Sequence, residues 1–185
     1  ITLPGAKKEK GTTHPISQVF YELVDIFESL GFSWFEDKEL TDEEYNFDNL
    51  NFSADHPARD SMDTFWLSEN YQEKRGADRK CLRPHLTGMS VQYMQKHKPP
   101  FRFIYPGRAY RNEATDARHE HTFMQFEVLI IDKNISFANG KHLIQTLVNR
   151  FFGKHIPIRM RTGYFPFVEP GFEIDIECQV CHKKG

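Results

Sequence analysis

The residues best suited to chemistry in this chain lie between Arg102 and Glu127, which read RFIYPGRAYRNEATDARHEHTFMQFE. Arg102 to Tyr105 are strand formers, Pro106-Gly107 marks a break, Ala109 to Glu113 form a second extended run, and Phe123 to Ile131 a third. Side chains two apart on a strand share a face, so Arg111 goes with Glu113, and Phe123 with Gln125 and Glu127, opposite Met124, Phe126 and Val128. One face of the pair is thus richer in charge and amide groups than ordinary core, and a basic loop joins the strands. The combination reads as a nucleotide site built on a hairpin; the plainer alternative is a hairpin with a solvated face and a loop of surface charges.

The elements that must position this hairpin come next. Residues 1–13 are rich in Gly, Lys and Thr and read as a linker or arm. Pro15 suits a first helical position, Ile16, Val19, Phe20, Leu23, Phe27 and Leu30 follow at helical spacing, and Gly31 supplies the stop. Phe32 to Phe35 reads as a strand. Residues 37–63 show no clean period and many turn formers, which predicts a long ordered loop; Thr64 to Leu67 follows as a strand, and the charged stretch 71–80 as a surface excursion. Leu86 to Lys96 is expected to be a short helix. Phe137, Ile144, Leu147, Val148 and Phe151 mark the apolar stripe of a longer one ending at Gly153, and Phe172 to Glu177 alternate as a half-exposed strand. Helices outside an antiparallel sheet make the fold class α+β, with no internal repeat.

Composition excludes several classes. With 185 residues, 39% hydrophobic and 14% aromatic, the chain can bury one substantial core. Its 24 basic and 26 acidic residues nearly cancel, which argues against a main grip on a nucleic-acid backbone. It has no apolar run of about 18 residues and no signal-peptide core, so a cytoplasmic protein is expected. Three cysteines suit a reducing compartment better than a disulfide framework.

The run PGR, two residues, R, one residue, E, a His-containing loop, then F-x-Q-x-E falls at Pro106, Gly107, Arg108, Arg111, Glu113, His119, Phe123, Gln125 and Glu127. It resembles motif 2 of the class II aminoacyl-tRNA synthetases, in the version of the bacterial-type phenylalanyl-tRNA synthetase alpha subunit. The resemblance covers nearly the whole chain. HPISQVFYELVDIFESLGF is similar to the family's motif 1 helix, which lies at a subunit interface there, although an internal amphipathic helix has the same pattern. CLRPHLTGMSVQYM is similar to a segment that usually reads LRTHTSPMQVRYM, and RTGYFPFVEPG to the phenyl-binding segment.

The resemblance implies a partial class II catalytic domain over residues 14–185, with a synthetase-like antiparallel sheet flanked by helices. It implies ATP-dependent activation of L-phenylalanine and its transfer to tRNA(Phe), with ATP and Mg2+ as cofactors and a beta subunit as partner in an alpha2-beta2 heterotetramer. In-line attack of a carboxylate on the α-phosphorus needs fixed positive donors around a centre gaining charge. Arg111 is the catalytic candidate, because a planar guanidinium can hold phosphate and incoming carboxylate together. Glu113 would bind the adenine amino group, His119 the outer phosphates, and Phe123 the adenine ring; core packing for Phe123 and a surface place for His119 are the dull alternatives. Glu169 and Glu173 are candidates for magnesium, or are surface carboxylates.

For the amino acid, Gln125 and Glu127 would clamp the ammonium, Glu127 giving countercharge in a dry site. His85 and Thr87 would contact the amino or carboxylate groups, and Phe165, Phe167 and Val168 would wall the ring, at about 0.5 to 1.5 kcal/mol per aromatic pair. Tyrosine would be rejected because its hydroxyl finds no partner. Two departures bear on specificity: Ser90 stands where a glutamine is expected, and Met62 where some members carry tryptophan.

Motif 3 and the N-terminal coiled coil of the family have no counterpart in the sequence, so these residues alone are expected to fail in ATP-pyrophosphate exchange. Cys178 and Cys181 form a CxxC beside His182, half of a zinc knuckle that needs further ligands, or two reduced thiols at a strand end. Cys81 is expected to have no chemical role. The alternative functional reading is a catalytically silent paralogue serving as an amino-acid-binding or assembly subunit. Such a paralogue would be expected to lose Arg111 or Glu113, and both are present. A phosphoserine-activating relative would need extra cations in place of Phe165 and Phe167.

Overall fold

The computed structural model describes residues 5, 10–59, 64–67, 69–165 and 168–181. In chain order they form α1 (Pro15–Ser29), β1 (Ser33–Trp34), β2 (Leu40–Asp42), α2 (Glu43–Asn46), β3 (Lys80–Leu82), α3 (Gly88–Lys96), β4 (Phe101–Tyr110), β5 (Thr122–Ile131), α4 (Phe137–Phe151), β6 (Ile158–Thr162) and β7 (Phe172–Ile176). β4 and β5 pair antiparallel over their whole length, with β1 parallel on the other side of β4. Two further antiparallel ribbons, β2 with β3 and β6 with β7, complete an α+β fold.

α1 starts at Pro15, where His14 Nδ1 accepts from the Ile16 N–H at 3.2 Å, and stops before Gly31, whose φ of +80° only glycine adopts freely. α4 is opened by a reciprocal capping box between Ser136 and Asn139. The two helices lie together on one face of the β4-β5 pair. There Val24 and Phe27 meet Phe32 and Ile104, and Phe126, Val128 and Ile130 pack against them. The opposite face carries Phe103 and Tyr105 against Leu86, which precedes α3, and Met89 in its first turn. Period-2 alternation along β4 and β5 thus separates a helix-covered face from the face that carries Glu127, Gln125 and Phe123.

Several expectations need correction. The hairpin is not broken at Pro106-Gly107: β4 runs straight through, with Pro106 opposite Phe126 and Gly107 opposite Gln125. The Ile104 carbonyl, two residues earlier, accepts from Phe35 on the β1 side. Pro106 therefore turns its missing N–H toward the edge that β1 has already left, where no ladder bond is lost. β4 then ends at Tyr110, so Arg111 to Glu113 are coil rather than a second strand.

The stretch 37–63, read as loop, contains β2, α2 and helical turns at Asp48–Leu50 and Pro57–Arg59. Its order comes from charge, not from an apolar stripe. The buried Glu43 carboxylate holds Arg59 Nη1 at 3.2 Å and Arg79 Nη1 at 2.6 Å and accepts from the Gly76 N–H at 2.8 Å. The same node removes Arg79 from the expected surface excursion, seating its guanidinium 3.9 Å over the Trp66 ring. Thr64 to Leu67 is not a strand: Trp66 makes an isolated bridge to Cys81. β6 was not expected from the sequence.

Candidate functional site

The segment Arg83 to Thr87, between β3 and α3, is the hinge on which the site is assembled. Arg83 is buried, and its guanidinium donates to the carbonyls of Arg108 (2.7 Å), Asp37 (3.2 Å) and Lys38 (3.4 Å). This ties β4 to the segment after β1. A Cβ added to Gly107 would lie 2.5 Å from Arg83 Nη2, so glycine is required there by close approach. The Leu86 N–H donates to Gln125 Oε1 at 3.1 Å, and Thr87 Oγ1 to Glu127 Oε1 at 2.9 Å. These bonds delay the start of α3 to Gly88, two residues after the expected Leu86.

Glu127 is the carboxylate on which the hydrogen bonds of this face converge. Its second oxygen accepts from the Tyr105 hydroxyl at 2.7 Å. Burial pushes the Glu127 carboxyl up, against the hydrogen bonds from Tyr105, Thr87 and the Leu86 backbone. Donors thus converge on a desolvated carboxylate at the wall of a cavity of about 770 Å³, which Ser90, Leu50, Phe165 and Val168 also line. An anionic end and an aromatic and aliphatic wall share one space. Gln125, with its oxygen occupied by Leu86, has its amide N–H groups left as donors.

On the other side of the hinge, Arg111 Nε donates to the Pro84 carbonyl at 3.2 Å, its guanidinium carbon lies 5.0 Å over the Phe123 ring, and Nη1 is 4.0 Å from Glu113. Arg111, Glu113 and Phe123 are therefore gathered as expected, with one difference: Arg111 occupies a face of the aromatic ring. His119 lies on the exposed loop with Nδ1 2.9 Å from Asp116, whose hydrogen bond and charge raise the imidazole above its ordinary range.

His85 is placed differently from a direct polar contact. Its ring stacks on Phe52 with centroids 6.1 Å apart, and neither nitrogen makes a hydrogen bond of ordinary geometry. Burial pulls it down to about 4; the Asn46 backbone partly offsets this and the Arg111 charge adds to it. The imidazole is neutral at physiological pH.

Glu173 does not stand free for a metal: Arg161 lies opposite it in register and holds its carboxylate at 2.9 Å. Glu169 lines the cavity. Among the described residues no three His, Cys, Asp or Glu side chains converge as a metal-binding group. The Cys181 N–H donates to Cys178 Sγ at 3.4 Å, and this backbone bond leads the influences that lower the Cys178 thiol. Met62, Phe167 and His182 lie outside the described residues. Sequence reasoning missed Tyr105, taken only as a strand former; its place on the same strand face as Gly107, across from Glu127, was the available signal.

A family model described as tRNA synthetases class II core domain (F) matches residues 1–185. The phenylalanine-tRNA ligase alpha subunit of Leptospira biflexa is 49% identical over 182 residues, covering 98% of this chain and 51% of that protein. Those of Dehalococcoides mccartyi and Bacillus mycoides are 45% and 41% identical, each over 100% of this chain and over 55% and 52% of their own length. The chain thus spans about half the length of the curated relatives it matches. Among solved structures, a pyrrolysyl-tRNA synthetase from Desulfitobacterium hafniense aligns with a TM-score of 0.64 at 18% identity, covering 90% of this chain and 56% of that one. At that identity the likeness concerns the fold alone.

Proposed function

Because the chain belongs to the class II tRNA synthetase core-domain family, matched over residues 1–185, we propose that it is the amino-acid-activating part of a phenylalanine-tRNA ligase alpha subunit. The observation that carries this reading is Glu127: a desolvated carboxylate, held by hydroxyl donors, on a cavity whose other wall bears Phe165 and Val168. Such a cavity suits an ammonium at one end and an apolar ring at the other. An ammonium entering it meets a half-buried charge that has already given up part of its water, so part of the cost of desolvating the carboxylate is met in folding rather than in binding.

In this reading Gln125 donates its amide to the substrate and Glu127 takes the ammonium. Thr87 acts through Glu127 by fixing its carboxylate, and neutral His85 supplies a ring wall rather than charge. Phe165 and Val168 form the side of the phenyl slot, a role the sequence resemblance extends to Phe167. Arg111 holds the α-phosphate of ATP against the amino-acid carboxylate, aligning the two and stabilising charge as it develops. Glu113 and Phe123 take the adenine, which requires the Phe123 face now under Arg111 to be freed or the other face to be used. His119, whose imidazole the Asp116 hydrogen bond and charge raise above its ordinary range, meets the outer phosphates. Magnesium, when bound with ATP, neutralises phosphate charge; the residues described do not identify its ligands, and a zinc ion at Cys178 and Cys181 would need ligands beyond them.

For the wider assembly, the relatives' designation as alpha subunits of a tRNA ligase supports tRNA(Phe) as acceptor and a beta subunit as partner, while a cytoplasmic setting and α1 at a subunit interface rest on the sequence reading. α1 leaves Ile16, Val19 and Tyr21 exposed, which accords with an interface. No helix among the described residues is long and apolar enough to cross a membrane. The test is ATP-pyrophosphate exchange by the full-length protein with the subunits that purify with it. Phenylalanine is expected to support exchange and tyrosine to be at least about tenfold poorer in kcat/KM, since a buried unpaired hydroxyl costs roughly 1 to 3 kcal/mol. Tight phenylalanine binding without exchange would favour a silent binding subunit instead.

A further inference from the structure

Tyr105 faces Glu127 across the β4-β5 ladder and is 2% exposed. Its hydroxyl donates to Glu127 Oε2 at 2.7 Å and touches Ser90 Oγ at hydrogen-bond distance. A phenol has one proton to give, and an ionised carboxylate only accepts. The Tyr105 proton therefore goes to Glu127, and the Ser90 hydroxyl must donate to the phenol oxygen. The chain of bonds has a direction, Ser90 to Tyr105 to Glu127, while Thr87 secures the other carboxylate oxygen at 2.9 Å.

Ser90 itself is 6% exposed and its hydroxyl lies against the phenol, so a longer side chain at position 90 competes with Tyr105 for the same space. The family resemblance leads one to expect a glutamine there. A serine is too short to reach across from the first turn of α3 to Glu127. The Tyr105 ring, entering from β4, fills that distance with a hydroxyl at its end, and both residues line the same cavity as Glu127.

Resting on the reading of Glu127 as the ammonium partner, we propose that Tyr105 is the positioning and specificity-determining residue of the amino-acid cavity, coupled to Ser90 and standing in for a longer polar side chain at that position. Its hydroxyl fixes the Glu127 carboxylate and its ring closes the floor. The two positions are one unit: a long polar residue at 90 requires a small one at 105, and the reverse.

The test is exchange kinetics on the full-length protein with its co-purifying subunits. Tyr105→Phe keeps the ring and removes only the donor. It is expected to raise KM for phenylalanine about tenfold while leaving KM for ATP and kcat within about threefold, the value of one hydrogen bond to a charged group. Ser90→Gln and Tyr105→Ala are each expected to weaken phenylalanine binding. Their combination should return KM to within about threefold of the parent, a non-additivity that a merely structural role does not produce. An unchanged KM in Tyr105→Phe, or an additive double variant, overturns the coupling. A parent protein that neither binds phenylalanine in calorimetric titration nor supports phenylalanine-dependent exchange overturns the ammonium reading and the proposal with it, so the two failures are distinguishable.

Discussion

Replacing Glu127 by glutamine separates recognition from stability more cleanly than any other change at this site. In the wild-type chain the carboxylate accepts from Thr87 at 2.9 Å and Tyr105 at 2.7 Å, and burial is the largest influence on it, pushing its pKa up. The charge is therefore a burden on the empty protein. Glutamine removes that burden but has a single acceptor oxygen, so one of the two hydroxyls must turn and accept from the new NH2. Both hydroxyls can rotate, so the net change in folding free energy is expected to stay within about 1 kcal/mol, or roughly 2 to 4 °C in Tm. The ammonium of phenylalanine, by contrast, loses its countercharge in a dry cavity. A hydrogen bond between charged groups is worth about 1.5 to 3 kcal/mol, which is roughly 10- to 150-fold in KM. Exchange kinetics against phenylalanine concentration and differential scanning calorimetry on the full-length protein measure the two quantities. A Tm loss above roughly 6 °C with KM for phenylalanine unchanged would refute the reasoning and make Glu127 a structural residue.

Other expectations follow from the same geometry. Gly107→Ala places a methyl 2.5 Å from Arg83 Nη2, on a guanidinium pinned by three carbonyls, and is expected to cost about 2 to 4 kcal/mol in urea unfolding; a loss under roughly 0.5 kcal/mol contradicts the close approach. Glu43→Gln leaves Arg59 and Arg79 buried beside a neutral amide, at about 3 to 5 kcal/mol by the same assay. Burial pushes the Glu43 carboxyl up, but the Gly76 N–H and the two guanidiniums outweigh it and hold the pKa below its ordinary 4.5. Its stabilising contribution is thus complete above pH 4.5 and lost as pH falls below, and Glu43→Gln should flatten that acid limb. His85, pulled to about 4 by burial, should show ring NMR resonances that do not titrate through neutrality; a midpoint near 6.5 would place the ring in water.

The hairpin was legible in the sequence because strand alternation sorts side chains without help from the rest of the molecule. Phe126 and Val128 fell on the helix-covered face and Gln125 and Glu127 on the other, as the period requires. The helices α1 and α4 were legible for the same local reasons: apolar spacing with a glycine near each end. What local pattern could not carry was pairing between distant polar residues. The order of 37–59 rests on Glu43 meeting Arg59 and Arg79, 16 and 36 positions away, and no period encodes that. Pro106 looked like a break because its tolerance depends on where β1 ends. Tyr105 looked like any strand former until Ser90 and Glu127, 15 and 22 positions off, were brought to its hydroxyl. The structure gathers Arg111, Glu113 and Phe123, and sets Glu127 on one cavity with Phe165 and Val168, while other expected contacts are absent among the described residues. His85 is a buried ring beside Phe52 rather than a polar contact, and Glu173 is committed to Arg161.

The most direct test of the central claim is a crystal structure of the full-length protein with phenylalanine bound. The ammonium nitrogen is predicted to lie roughly 3 Å from a Glu127 carboxylate oxygen, with the ring against Phe165 and Val168. Phenylalanine bound with its ammonium away from Glu127, or outside that cavity altogether, would contradict the account.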